Sequence, residues 1–204
     1  MKVVAVSQRV DFLLDRNESR DSLDQRLIKF LLKAGYLAIP VPNSFIRDSN
    51  EGPSINDALG DWIENINPHG VILSGGNDIG SCRDRDLTEM QLLEYAKKTS
   101  LPVLGICRGM QMMGLWAGTE LLRVEGHVHS RHALTGVINW NVNSYHNFAL
   151  STCPPDFVEL ARSEDGVIEA ICHHELQWEG WMWHPERELV FLSQNIDRLR
   201  DLFR

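Results

Sequence analysis

Four short runs rich in β-branched or apolar residues recur along the first half of the chain: VVAVS at 3–7, LAIPV at 37–41, GVILS at 70–74 and PVLGI at 102–106. Each is too short for a helix and apolar enough to be buried on both faces, as a strand inside a helix-covered parallel sheet must be. Parallel neighbours cannot be joined by a tight turn, so the amphipathic segments between the runs have to be crossover helices. The spacing predicts three of them. The first covers 22–34, with Leu23, Leu27, Phe30 and Leu31 on one face and Gly35 as a left-handed stop. The others cover 54–66 and 86–98. After residue 118 the pattern changes to shorter β-like pieces at 135–141, 157–162, 167–173 and 180–183, then a helix at 194–202. These read as antiparallel additions to the sheet. The expected architecture is α/β, with a mostly parallel sheet and antiparallel strands in its C-terminal half. No repeat or linker interrupts it, so a single domain over 1–204 is expected.

A chain of 204 residues with 43% hydrophobic and 24% charged residues has ordinary globular proportions. At that length roughly 70% of the unfolded surface can be buried, which argues against disorder. The formal net charge is −8. Broad capture of nucleic acid or of an anionic membrane needs clustered cations, so neither is expected as a partner, though one basic pocket for a small anion is compatible with the balance. No apolar run reaches the 18 or so residues of a membrane helix, and MKVVAVSQRVD turns polar too early for a signal peptide. A cytoplasmic location follows as the expectation, and a homodimer stays open. Cys82, Cys107, Cys153 and Cys172 form no CxxC pair and are read as reduced thiols.

The chemistry concentrates in PVLGICRGMQMMGLWAG. An apolar strand runs into Gly105-Ile106-Cys107-Arg108-Gly109 and then into a helical stretch. With serine in the middle, this layout is the nucleophile elbow, a strained strand-to-helix turn that needs small flanking residues. The following helix aims its free N–H groups and positive dipole end at the sulfur, favouring thiolate. A thiolate needs a proton shuttle, and His184 in GWMWHPERE is the candidate, with Glu186 placed to orient the imidazole. The order Cys, His, Glu differs from that of an α/β-hydrolase, whose acid precedes its histidine.

With LSGGND upstream, GICRGMQ and WHPE resemble the class I glutamine amidotransferase superfamily. The resemblance covers nearly the whole chain and implies a flavodoxin-like three-layer sandwich and a Cys-His-Glu triad that cleaves γ-glutamyl amides. LSGGNDI, RDLTE at 85–89, CRGMQ, VNSYHN, DGVIEA at 165–170 and MWHPE are similar to the γ-glutamyl-γ-aminobutyrate hydrolase-like branch, whose members are free-standing hydrolases. Carried across position by position, the resemblance implies Cys107 as nucleophile, His184 as general acid/base and Glu186 as its orienting carboxylate. It implies backbone N–H groups of Gly75, Gly76 and Arg108 as the oxyanion hole. It further implies Gln111, Ser144, Tyr145 and His146 around the glutamyl group. Neither metal nor cofactor is required by that chemistry, and the implied partner is a small γ-glutamyl substrate. A γ-glutamyl-γ-aminobutyrate or related γ-glutamyl amine hydrolase and a glutaminase subunit feeding ammonia to a synthase are the alternatives.

SQRVD, ESRDSLDQR, GHVHSRH and VNSYHN resemble small members tied to surface-polysaccharide phosphoramidate synthesis, which hydrolyse a γ-glutamyl-CDP-amidate. That substrate calls for a cationic patch, for which Arg9, Arg83, Arg85 and Arg108 are the candidates. Arg9 lies in the turn after the first strand, where ligands of open α/β sheets collect. Internal ion pairing with Asp84 and Asp86 is the competing account of Arg83 and Arg85. His127, His129 and His132 tempt a metal reading, but no neighbouring acidic or cysteine spacing completes a pattern. The tryptophans at 140, 178, 181 and 183 and the methionines at 110, 112 and 113 are read as packing.

Overall fold

A computed structural model describes residues 1–45 and 58–204. The chain opens with β1 (Lys2–Ser7), a hairpin of β2 (Arg9–Leu13) and β3 (Glu18–Ser22), then α1 (Gln25–Ala34) and β4 (Tyr36–Val41). There follow α2 (Ala58–Ile66), β5 (Val71–Leu73), α3 (Arg83–Thr99), β6 (Val103–Ile106) and α4 (Arg108–Trp116). The second half contributes β7 (Leu121–Arg123), β8 (Val128–Ala133), β9 (Thr135–Gly136), β10 (Asn141–Tyr145), β11 (Phe148–Leu150), β12 (Phe157–Arg162), β13 (Ile168–His173), β14 (Trp178–Trp181) and α5 (Ser193–Leu202). The expected start of the second helix at residue 54 lies outside the described residues.

Eight strands form one sheet in the order β4-β1-β5-β6-β14-β13-β12-β9. The first five run parallel, and β13, β12 and β9 add antiparallel. The expected α/β sandwich is therefore present. One detail differs: β14 joins the parallel half, pairing with β6 from Trp178↔Val103 to Trp181↔Ile106, while its other edge takes β13 antiparallel. A strand from the C-terminal half thus lies beside the strand that ends at Cys107.

Alternation along the central strands splits the core in two. Val4, Val6, Ile72, Leu104 and Ile106 face α1 and α5, meeting Leu27, Phe30, Leu31, Ile196 and Leu199. Ala5, Val71, Leu73 and Val103 face the other helices, meeting Leu59, Ile63, Leu92, Leu93, Met110 and Met113. Helices on both faces make three layers, and the methionines and three of the four tryptophans pack inside as expected, with Trp140 partly buried. α1 begins at Gln25, later than predicted, because residues up to Ser22 pair in the β2–β3 hairpin. Asp24 caps the helix by accepting from the Arg26 N–H, and Gly35 stops it at φ 101°. Among the described residues no helix is long and apolar enough to cross a membrane. The four cysteines are unpaired.

Candidate active site

Cys107 stands between β6 and α4 with φ 50° and ψ −104°, a conformation that L-residues avoid and that costs on the order of 1–3 kcal/mol. Two hydrogen bonds hold it: the Cys107 N–H donates to Trp181 O at 2.7 Å, and its carbonyl accepts from the Gln111 N–H at 3.1 Å. The flanking glycines are required by crowding. A Cβ on Gly109 would come within 2.1 Å of Leu73 O, and one on Gly105 within 2.6 Å of the Gly109 backbone.

His184 follows β14, at the start of the short turn Pro185–Arg187. Because β14 lies beside β6, the chain delivers this histidine to the same end of the sheet as Cys107, close enough for the sulfur to act on the imidazole. On the far side of the ring, Nδ1 lies 2.6 Å from Glu186 Oε1. Burial alone would lower the imidazole pKa, but the Glu186 carboxylate and the Cys107 sulfur overcome it and push it up to about 10. The same pairing holds the buried Glu186 carboxyl below its ordinary range.

Asn143 on β10 completes this arrangement, and residue spacing had offered no signal for it. Its Oδ1 accepts from the His184 N–H at 2.9 Å and its Nδ2 donates to His184 O at 2.8 Å. A third contact, from Arg26 Nε to Glu186 O at 2.8 Å, ties the turn to α1.

The loop after β5 brings Gly75 and Gly76 against this pair. A Cβ on Gly75 would meet His184 Cε1 at 2.5 Å, and Gly76 has φ 130° with Arg9 and Arg85 directly over it. Arg85 donates to the carbonyls of Ser74 at 2.7 Å and Gly75 at 3.0 Å. Arg85 in turn bonds Glu89 at 3.1 Å, which also accepts from Ser7 Oγ at 2.7 Å and from Arg108, while Arg108 reaches Asp86. Burial pushes the Glu89 carboxyl up, but Arg108 and Arg85 outweigh it and hold the group below the ordinary range.

The expected four-arginine patch is therefore corrected. The Arg85 and Arg108 guanidinium groups are consumed by this buried network, because a carboxylate enclosed at Glu89 needs cationic donors on both sides. Ion pairing does account for Arg85, with Glu89 as its partner. Arg83 opens α3. Arg9 lies at the site, its Nε donating to Asp11 Oδ1 at 2.9 Å. With Arg187, Ser74, Gly75, Gly76 and His184 it lines a small groove with a cavity volume of about 40 Å³. Cys107 itself is only 7% exposed.

The other expected substrate contacts divide. Tyr145 presents its ring to the edge of His184 at 5.9 Å and lies under the Arg187 guanidinium at 4.7 Å. Ser144 and His146 turn their side chains inward, to His127 O at 2.7 Å and Phe148 O at 3.0 Å. Gln111 is buried on α4 with Nε2 donating to Phe148 O at 2.8 Å. Their side chains are thus occupied by structure.

A family model described as glutamine amidotransferase class-I matches residues 17–191, most of the chain. The chain belongs to the class I glutamine amidotransferase family. Among curated relatives, the γ-glutamyl-CDP-amidate hydrolase of Campylobacter jejuni is 38% identical over 139 residues, covering 65% of this chain and 68% of that one. The glutamine-hydrolysing GMP synthase subunit of Methanothrix thermoacetophila is 34% identical over 140 residues, covering 61% and 70%. A crystal structure of a glutamine amidotransferase from Thermotoga maritima superposes with a TM-score of 0.63 at 17% identity, covering 99% of this chain and 82% of that one. A Thermoplasma acidophilum protein described as a GMP synthase subunit superposes with a TM-score of 0.72 at 19% identity, covering 100% and 93%. Those two likenesses carry the α/β fold alone.

Proposed function

We propose that this protein is a free-standing hydrolase of a γ-glutamyl amide, with γ-glutamyl-CDP-amidate as substrate and glutamate and cytidine diphosphoramidate as products. The observation that carries the reaction class is Cys107 at a strained strand-to-helix turn beside His184, whose Nδ1 lies 2.6 Å from Glu186 Oε1. The 38% identity to the Campylobacter jejuni hydrolase supports the substrate.

The Cys107 thiolate attacks the γ-carbonyl carbon and forms a tetrahedral oxyanion. Backbone N–H groups of Gly75 and Gly76, on a loop where Arg85 binds the Ser74 and Gly75 carbonyls, and of Arg108 at the start of α4 are assigned to it. His184, kept as imidazolium by Glu186, gives its proton to the departing nitrogen as the C–N bond breaks. The resulting neutral imidazole takes a proton from water, which attacks the thioester; glutamate leaves and the sulfur recovers its charge. Arg9 and Arg187, the groove's two guanidinium groups, are assigned to the diphosphate of the leaving group.

The second reading, a glutaminase subunit serving a synthase, is favoured by the Methanothrix thermoacetophila relative. Glutamate release from γ-glutamyl-CDP-amidate, γ-glutamyl-γ-aminobutyrate and glutamine by the purified chain separates the two. Rapid turnover of the CDP-amidate without an added protein is expected. Activity on glutamine alone, appearing only with a partner synthase, would establish the second reading instead.

A further inference from the structure

Away from Cys107, strands β8, β10 and β13 bring together ionisable side chains that the proposed reaction does not use. His127 precedes β8, His132 lies on it, His146 follows β10, and Glu169 lies on β13. His127, His146 and Glu169 are buried, His132 partly so. The acidic partner missing from the GHVHSRH spacing is supplied by a strand far along the chain.

Hydrogen bonding outside the cluster sets its tautomers. His146 Nδ1 lies 3.0 Å from Phe148 O, and a carbonyl can only accept, so that nitrogen carries a proton. His127 Nε2 lies 2.9 Å from the Asp165 carboxylate and likewise donates. For neutral rings this leaves lone pairs on His127 Nδ1 and His146 Nε2, which face one another at 3.2 Å. Each is also 3.3 Å from Glu169 Oε1. Both Glu169 oxygens are buried without a hydrogen-bond partner. Three electron-pair donors held so close repel unless positive charge lies between them.

These separations have a natural occupant. Ligand atoms about 2.0–2.1 Å from a tetrahedral zinc stand about 3.3 Å apart. A nitrogen-rich donor set suits zinc, whereas calcium and magnesium take oxygen. His132 offers a fourth donor, since ring nitrogens of His127 and His132 and a Glu169 oxygen all lie within 4.8 Å of one another. The outward N–H groups donating to Asp165 and Phe148 O are the supports that metal-bound imidazoles require. Neutral imidazoles, the Glu169 and Asp165 carboxylates and a divalent ion also sum to zero charge.

We propose that His127, His146, Glu169 and His132 form a structural site for a divalent metal of the zinc class. With four protein donors the site is closed, and its work is to clasp β8, β10 and β13 together behind Tyr145.

The test is a Co²⁺ titration of the chelator-treated full chain, followed by visible absorption and by thermal melting with Zn²⁺. Expected are d–d bands of tetrahedral intensity that saturate at a single equivalent and are displaced by Zn²⁺. Zn²⁺ should also raise Tm by several degrees. Cys107→Ala controls for metal captured at the active-site thiol: the bands should persist in it and be lost in Glu169→Gln. Should Glu169→Gln fail to fold, His132→Ala replaces it, with weakened Co²⁺ affinity expected. Absence of bands and of a Tm shift in the unaltered chain overturns the proposal, and the cluster is then held by protons on its imidazoles. Bands that vanish in Cys107→Ala and survive in Glu169→Gln overturn it as well.

Discussion

At Cys107 the backbone is driven to φ 50° so that a sulfur can sit at the mouth of α4, beside an imidazole whose charge is secured from behind by Glu186. In the proposed reaction each member has a different task, so substitutions should differ in kind. Cys107→Ala removes the attacking atom and is expected to lower kcat by about 10⁴-fold or more with the fold retained. Glu186→Gln keeps the nucleophile but loses the charge that favours imidazolium; a loss on the order of 10³-fold is expected in glutamate release. The pH profile distinguishes the roles further. His184 has its pKa raised to about 10, so its acid form persists as pH rises and the alkaline limb of kcat/KM should fall near that value. In Glu186→Gln the limb should move to lower pH; an unmoved limb would mean that Glu186 does not set the imidazole's charge. Cys107, His184 and Glu186 were legible in the linear order because elbow glycines and a WHPE turn advertise them. Asn143 was not, since an asparagine in VNSYHN carries no mark of the backbone it clamps 41 residues away. Asn143→Ala should reduce kcat about 10–100-fold by releasing His184, with secondary structure by circular dichroism unchanged.

Packing between elements explains why the elbow tolerates so little. Gly109 lets α4 lie directly on β5, and a methyl group there would collide with the Leu73 carbonyl, which belongs to the sheet and cannot yield. Gly109→Ala is expected to cost about 2–4 kcal/mol, read as a lower midpoint in urea unfolding. The parallel strands and their helices were readable because burial on both faces leaves an unmistakable apolar run. The β2–β3 hairpin was not. β3 reads ESRDS, exposed almost throughout, and the hairpin is held by polar contacts, Asn77 to Val10 on β2 and Asp21 on β3 to Asn43. The arginines show the same limit. Arg85 and Arg108 looked like anion binders, but Glu89, enclosed between β1, α3 and α4, claims both. Arg187, absent from the expected patch, lines the groove in their place.

Across the whole molecule the last helix is tied back to the first half of the chain. Phe203, just past α5, lies so close over Gly70 that a Cβ there would come within 3.0 Å of its ring, and it stacks edge-on against Tyr36 at 5.6 Å, closing the α1–α5 layer. Phe203→Ala should lower Tm by about 10 °C through the cavity it leaves, while kcat stays near its original value because the triad lies at the other end of the strands. The linear order of residues by itself determined the strand-helix alternation, the elbow and the family. These are local patterns, set by side-chain periodicity and by glycine at close approaches. Only the tertiary structure decided that β14 lies parallel beside β6, which guanidinium groups remain at the groove, and that Glu169 meets three histidines. Those outcomes depend on which distant segments share a buried space, where charge must be matched locally, and no spacing along the chain encodes that meeting.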